Sequence, residues 1–414
     1  MIDIKILRNE KERVKKNCER RGCEVDIDKL YEIDKECRKL IGETEEKQAL
    51  RNTLSKECRT NPQMRVKVKA LKGEIKEMQD NLDALKKKMD LQMALLPNFL
   101  ADDVPDGDED EDNALIREVG IKPTFDFEPL DHQALGEKLD IIDTARGAKV
   151  AQSGFYYWKG KGAELASSLF FWTQQELIKK GYTLFFTPCV AKEETLFGTG
   201  YLPFFEDQTY KLENEDLALI GTSEQTLIGY HANEKLLEKD LPALYTAFSP
   251  CFRTEAGSYG KESRGIFRVH QFHKVEQVIF CLPEESEKYH EFCLDAEEDL
   301  LKKLKLPYRV VNVCVGDMGA PGYKKYDTEA WFAGYNGYRE VTSNTNLTDF
   351  QTRRLNVKYE DADGKKDFLH TISATAVTDR VVCAILENNQ RADGSVAIPE
   401  VLSKYTGFSE IKAE

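Results

Sequence analysis

The sequence lacks any long apolar run: nowhere in its 414 residues does one approach the roughly 20 apolar residues of a membrane-spanning helix. Its opening segment, MIDIKILRNEKERV, is charged and helix-like, so it does not read as a secretory signal. The ten cysteines never form a CxxC pair, which argues against a closed zinc site. Without a secretion signal they are expected to be reduced, semi-buried thiols of a cytoplasmic protein. Two nucleotide-binding signatures are missing, GxxxxGK[ST] and a GxGxxG following a strand, so any ATP site must use another platform. Internal repeats and low-complexity tracts are absent too. An excess of basic charge is also lacking, the formal net charge being −14. Global charge governs solubility and steering, however, and polyanion binding needs only a local basic surface.

Three zones can be separated by pattern. Residues 1–101 carry almost no strand signal. Within them Val68, Leu71, Ile75, Met78, Leu82, Leu85 and Met89 recur at alternating spacings of three and four, which predicts a coiled-coil helix. Leu30, Ile33, Cys37 and Leu40 keep the same rhythm in an earlier helix that runs to about residue 60. Asn61 and Pro62 interrupt, because proline lacks an N–H and disfavours helix in the residue before it. The expected result is an antiparallel hairpin of two helices, about 45 Å long at 1.5 Å per residue. Between residues 51 and 90 eleven basic residues face six acidic ones, so the local charge is positive. That surface is either a solvated coiled-coil face or an arm laid along an RNA backbone, and charge alone leaves both open.

Residues 102–114 begin DDVPDGDEDEDN, an acidic stretch with no periodicity that reads as a partly disordered linker. Residues 115–414 read as a mixed α and β domain. A helix is expected over 163–180, and strands over 182–186, 266–270, 275–280 and 308–315.

The most informative segment is residues 251–276, CFRTEAGSYGKESRGIFRVHQFHKVE. It suggests two antiparallel strands joined by a loop containing Gly257, Gly260 and Gly265, with Arg253, Arg264 and Arg268 on or near the hairpin. Guanidinium groups suit phosphate oxygens because their donors form a rigid planar fork. Phe272 offers a flat face for a purine, and Glu276 an acceptor for a cationic amine. His270 and His273 invite a metal reading, but i and i+3 point to opposite faces of a strand, so a buried, hydrogen-bonded His270 is the better account.

The whole string resembles motif 2 of the seryl-tRNA synthetases, whose members read much like FRxEAGxxGrxxRGlxRvHQFxKvE. Other segments line up with that family in order. Thr222, Ser223 and Glu224 are similar to its TxE serine-binding segment. The stretch from Glu340 through Val341, Thr342 and Ser343 to TDFQTRR at 348–354 looks like its E[IV]xS…TDFQxRR. His370, Arg380, AILENNQ at 384–390 and IPEVL at 398–402 resemble motif 3 and the tail, and Pro188 falls where motif 1 places its dimer-interface proline.

The resemblance implies an α+β chain, with a coiled-coil tRNA-binding arm followed by a class II catalytic domain on an antiparallel sheet flanked by helices. It implies that Arg253 binds the α-phosphate and the serine carboxylate, that Arg380 clamps the γ-phosphate, and that Glu255 joins them as a catalytic residue. Thr254, Glu255, Arg268 and Val269 would contact ATP, with Phe272 stacked on adenine and Val341 and Thr342 beside it. Glu340 and Ser343 would hold Mg²⁺. Thr222, Ser223, Glu224, Glu276 and Thr375 would surround serine. Arg51, Lys56, Arg59, Arg65, Lys67, Lys69, Lys72 and Lys76 become the candidate contacts to serine tRNA, and to selenocysteine tRNA where the host makes one. A homodimer is implied. Motif 3 departs from the usual HTLNGS or HTLNAT: the string is HTISAT, with Ser373 where asparagine is expected and Thr375 one residue too close to Arg380. Ala374 is the alternative register. Two other readings are a ligase of the same ancestry that charges a carrier protein, and a non-catalytic paralogue.

Overall fold

The computed structural model describes residues 1–58, 61–256 and 265–413, which form two compact units, Met1–Phe99 and Leu100–Glu414. Arg59, Gly257, Gly260 and Arg264 lie outside the described residues.

The first unit is helical: α1 (Ile4–Asn9), α2 (Lys11–Arg20), α3 (Ile27–Glu57) and α4 (Met64–Ala94). The two long helices have 31 residues each, which at 1.5 Å per residue is about 46 Å. Asp26 caps α3 by accepting the Lys29 N–H at 2.9 Å. The break between α3 and α4 contains Asn61 and Pro62, as expected. Between residues 65 and 90 the seven predicted seam residues are the only ones not exposed. Ile33 and Cys37 pack on Leu82, with Leu85 and Met89 against them, and Lys47 pairs with Glu74 nearer the tip. That ordering makes the hairpin antiparallel. At its base Leu7, Val14, Ile27, Leu30, Met93 and Leu96 form a separate small core. Leu82 is 8% exposed, so Leu82→Ala should lower stability by about 2 kcal/mol, the low end for a buried leucine in so thin a core. The check is chemical denaturation followed by helical circular dichroism, where the earlier transition should move.

The second unit is built on an eight-stranded sheet. In chain order its strands are β1 (Ala114–Val119), β2 (Thr183–Phe185), β3 (Ala243–Phe252), β4 (Gln271–Cys281), β5 (Tyr308–Asn312), β6 (Lys324–Phe332), β7 (Gly337–Thr348) and β8 (His370–Thr378). In space they run β1-β5-β6-β7-β8-β4-β3-β2, antiparallel throughout except for the β2–β3 pair. Helices α5 (Gly160–Lys179), α6 (Glu224–Gly229), α7 (Ser286–Leu304), α8 (Phe350–Leu355) and α9 (Asp379–Asn388) accompany it. One face of the sheet forms the main core with α5, α7 and α9, through Leu169, Trp172, Cys293, Leu300, Val382 and Ile385 against Val275, Ile279, Ile372 and Ala374. Alternation along each strand then turns Phe272, Lys274, Glu276, Ser373 and Thr375 to the opposite face.

Three expectations are corrected. Residues 266–270 are not a strand; β4 starts at Gln271, and the preceding stretch is held by irregular bonds such as His270 N–H to Gly154 O at 2.9 Å. The strand expected over 308–315 ends at Asn312. The acidic stretch is not loose. Val315 N–H donates to Pro105 O at 3.1 Å, Gly316 N–H to Gly107 O at 2.9 Å, and the Asn312 amide to Asp103 O at 2.8 Å. Backbone groups of 103–107 satisfy the end of β5 and the turn after it, which composition does not reveal. None of the ten cysteines is in a disulfide, and seven are buried. Among the described residues no helix is long and apolar enough to cross a membrane.

Candidate active site

A cavity of about 350 Å³ opens on the sheet face away from α5 and α7, a size that admits a small ligand. Its walls bring together residues far apart in the chain. From the motif 2 region come Arg253, Glu255, Arg268, Val269, Phe272 and Glu276; from β7 come Glu340, Val341, Thr342 and Ser343; Glu224, Thr375 and Arg380 complete the predicted set. Thr222, Ser223 and Thr254 do not line it. Thr222 is fully buried, and its hydroxyl accepts the Glu224 N–H at 3.1 Å, so it shapes the start of α6. Ser223 is buried beside it, its carbonyl accepting the Leu227 N–H at 2.9 Å. Thr254 turns its hydroxyl to Asp207 O.

Arg253 follows the last residue of β3 and is fixed by its N–H to His270 O at 2.9 Å. Its guanidinium lies 5.3 Å from the centre of the Phe272 ring and makes no ion pair among the described residues. A half-buried cation placed in this way is suited to an anionic ligand. Arg380 is in the first turn of α9, capped by Thr378 and anchored by Asp379, which accepts from Trp158 Nε1 at 2.7 Å. Its guanidinium sits 4.3 Å above the Phe267 ring and donates to Phe267 O at 3.2 Å and to Glu340 Oε2 at 3.0 Å. Burial by itself would raise the Glu340 pKa, but Arg380 and Lys325 outweigh it and hold the carboxyl below its usual range. Glu255 pairs with Arg268 at 3.4 Å.

The floor contains two carboxylates with different partners. Glu224 Oε1 accepts from the Gln351 amide at 2.7 Å and Oε2 from the Tyr201 hydroxyl at 3.1 Å. Burial raises the Tyr201 pKa well above its ordinary value, so that hydroxyl remains a donor. Glu276 instead forms an ion pair with Lys274, and its Oε1 accepts the Ser373 hydroxyl at 2.8 Å. Burial pushes the Glu276 pKa up, opposed by Lys274. The side-chain donors to Glu224 are therefore neutral, while the charge of Glu276 is already compensated.

The motif 3 departure falls in strand β8. Thr375 lies opposite Glu276 and faces the cavity, whereas Ala374 is buried in the main core. A register shift between Thr375 and Val377 lets β8 run directly into α9. Ser373 reaches Glu276 with its own hydroxyl, so a donor is retained at the position where asparagine was expected.

The sequence reading overlooked Lys274, Tyr201, Gln351, Lys325 and Asp327. Lys274 had a signal: it shares the period-two face of Phe272 and Glu276. Tyr201 reaches the site only through tertiary packing, whereas Gln351 lies inside the TDFQTRR stretch, which carried no expected role for it. Lys325 and Asp327 form a 2.9 Å ion pair on β6, where burial pushes Asp327 up to about 7 against the pull of Lys325. His270 and His273 do diverge. His270 stacks on Phe155 with Nδ1 3.1 Å from both the Tyr210 hydroxyl and Arg253 O, while His273 packs on Phe248 and pairs with Asp379. Among the described residues no group of three or more His, Cys, Asp or Glu is placed to hold a metal ion.

Residues 208–389 match the family model of the tRNA synthetase class II core domain (G, H, P, S and T), and residues 1–100 that of the seryl-tRNA synthetase N-terminal domain. The chain is 43% identical over 422 aligned residues to the serine–tRNA ligase of Borreliella afzelii strain PKo, covering 99% of each. Its fold matches a crystal structure of seryl-tRNA synthetase from Pyrococcus horikoshii complexed with ATP, with a TM-score of 0.95, 40% identity and 100% of both chains covered. It also matches the cytoplasmic serine–tRNA ligase of Naegleria fowleri in complex with AMP, with a TM-score of 0.90, 33% identity and 100% and 99% covered.

Proposed function

The chain belongs to the seryl-tRNA synthetase family and is an aminoacyl-tRNA ligase, and from that premise we propose how its own residues carry out the reaction. ATP is the nucleotide substrate, L-serine the amino acid and serine tRNA the acceptor. The serine carboxylate oxygen attacks the α-phosphorus in line, pyrophosphate leaves, and seryl-adenylate forms. The ribose hydroxyl at the tRNA 3′ end then attacks the adenylate carbonyl, and AMP leaves. No protein nucleophile takes part, so catalysis is positioning and electrostatic stabilisation.

The observation that carries this reading is the convergence of Arg253 and Arg380 on one cavity whose floor holds Glu224 and Glu276. Arg253 holds the α-phosphate and the serine carboxylate, where negative charge builds up. Arg380 takes the γ-phosphate. Phe272 lies beneath adenine, with Glu255, Arg268 and Val269 around the nucleotide and Val341 and Thr342 beside it. Thr254, bonded to Asp207 O, acts from outside the cavity by holding the chain between Arg253 and Glu255. Glu340, kept ionised by its neighbours, and Ser343 supply hard oxygens suited to Mg²⁺. That cation would neutralise phosphate charge. Glu224, bonded to neutral side chains, receives the serine ammonium, and Glu276 with Thr375 receives the serine hydroxyl. Thr222 and Ser223 act from behind, by holding α6 and hence Glu224. Selenocysteine tRNA becomes a substrate if the host makes it, because the arm reads RNA shape. We also place the protein in the cytoplasm and read it as a homodimer, the dimer being favoured by Phe186, 85% exposed beside exposed Pro188.

The test is serine-dependent exchange of pyrophosphate into ATP, followed by charging of total tRNA. Both should be positive; exchange without charging would favour the carrier-protein ligase, and silence in both the non-catalytic paralogue. Within the first assay Glu276→Gln should raise the KM for serine about 10- to 100-fold, the cost of losing a charged acceptor, with the KM for ATP unchanged. An equal rise in both constants would contradict the hydroxyl assignment.

A further inference from the structure

The residues returning to the cavity after residue 264 have little regular structure to hold them. Gly265 has φ +78°, and Ile266, Phe267, Arg268 and Val269 follow in turns and bends before β4 begins. Four of them line the cavity, and Phe267 forms the seat of Arg380. Two anchors tie this segment to α9. One is direct, from Arg380 Nε to Phe267 O at 3.2 Å. The other passes through a histidine outside the cavity.

His132 is 7% exposed and is the first residue of the short helix His132–Lys138. Its Nδ1–H donates to Glu387 Oε1 at 2.7 Å, and its Nε2 accepts the Ile266 N–H at 3.2 Å. The two bonds require one neutral tautomer, with the proton on Nδ1. Glu387 enforces it: its side chain is 1% exposed, and it also accepts the His132 N–H at 3.0 Å and the Gly334 N–H at 2.9 Å. The fit is close, since a β-carbon at residue 265 would lie 2.2 Å from His132 Nε2. Glu387 is seven residues beyond Arg380 on α9, about two turns or 10 Å. The same helix therefore holds the segment at one end by Arg380 and at the other by Glu387 through His132.

We propose that His132, oriented by Glu387, is a positioning residue for the nucleotide: it fixes Ile266, and with it Phe267 and Arg268, in register with Arg380. It touches no substrate. The inference rests on the reading of this cavity as the ATP site. Its effect should fall on ATP and spare serine, because Glu224 and Glu276 are held by Tyr201, Gln351, Lys274 and Ser373, none of which contacts His132.

Steady-state pyrophosphate exchange on the full-length protein tests it. His132→Ala should raise the KM for ATP about tenfold, the size of one buried hydrogen bond removed together with its geometry, and leave the KM for serine within about twofold. His132→Gln should recover most of the loss, since its side-chain oxygen can accept the Ile266 N–H in place of Nε2. Thermal unfolding of both variants separates positioning from folding. Three results would overturn the proposal: no change in either variant, a parallel rise in both KM values, or a fall in melting temperature in His132→Gln with no rescue of the KM for ATP. An unsubstituted chain without exchange would overturn the reaction itself, and that failure is seen before any substitution is made.

Discussion

Arg253→Ala is expected to lower kcat for serine activation by about 10²- to 10³-fold, the range seen when one preorganised donor to a transition-state charge is removed. The expectation rests on the state of this side chain without ligand. Its guanidinium is half-buried, lies against Phe272 and has no ion-pair partner among the described residues, so it need not abandon a carboxylate in order to meet a phosphate. Arg380 differs. It already donates to Glu340 and to Phe267 O, and nucleotide binding has to trade part of that network for phosphate oxygens. Removing Arg380 should therefore act more on the KM for ATP and less on kcat. Arg253→Lys should recover only part of the loss, because an ammonium cannot offer the planar fork that spans two oxygens. Single-turnover adenylate formation measures the effect without product release. A loss confined to the KM for ATP would show that Arg253 only binds substrate.

Replacing Lys67, Lys69, Lys72 and Lys76 together by alanine should lower kcat/KM for tRNA charging by about 10²-fold or more at moderate salt, with pyrophosphate exchange unchanged. All four are exposed on α4 and form no ion pair among the described residues. They lie off the seam of Val68, Leu71 and Ile75, and alanine favours helix, so the hairpin should remain folded. For every lysine–phosphate pairing that the substitutions abolish, the log–log salt dependence of tRNA binding should also flatten by about 0.7 to 0.9 in slope. Filter binding over a salt series gives that slope. A quadruple variant that charges normally would remove this face of the arm from the tRNA interface, and an equal loss in exchange would show that arm and catalysis are not separable. Arg51, Lys56 and Arg65, described as well, are the next to test.

How much of this was legible in the sequence depends on whether the cause was local. The arm was legible nearly residue by residue, because a heptad seam is a local consequence of helix geometry: Val68 through Met89 are the residues that come out shielded. The hairpin of β3 and β4 was legible for the same reason, apart from the stretch 266–270. Its apolar residues resemble a strand but serve as the irregular seat of Arg380. The acidic stretch after residue 101 misled because composition cannot show that the backbone of Asp103, Pro105 and Gly107 completes the surroundings of β5. In the cavity, residues to which a motif gives a role were found and those delivered by packing were not; Gln351 lies inside TDFQTRR but carried no expected role and was missed. Lys274 sits between two residues of the expected set and was overlooked, although strand alternation places it on their face. Tyr201, Lys325 and His132 carry no pattern at all. Thr375 shows the converse. Spacing alone left Ala374 as a rival, and only the strand register shows that Thr375 faces the cavity while Ala374 faces the core.

The central claim is that two guanidinium groups from distant segments hold one bent triphosphate above an antiparallel sheet. Its most direct measurement is a crystal structure of the chain with serine and a non-hydrolysable ATP analogue. The account predicts Arg253 donating to an α-phosphate oxygen and Arg380 to a γ-phosphate oxygen, each at about 3 Å, with adenine on Phe272. An analogue bound with its phosphates directed away from either arginine would contradict it.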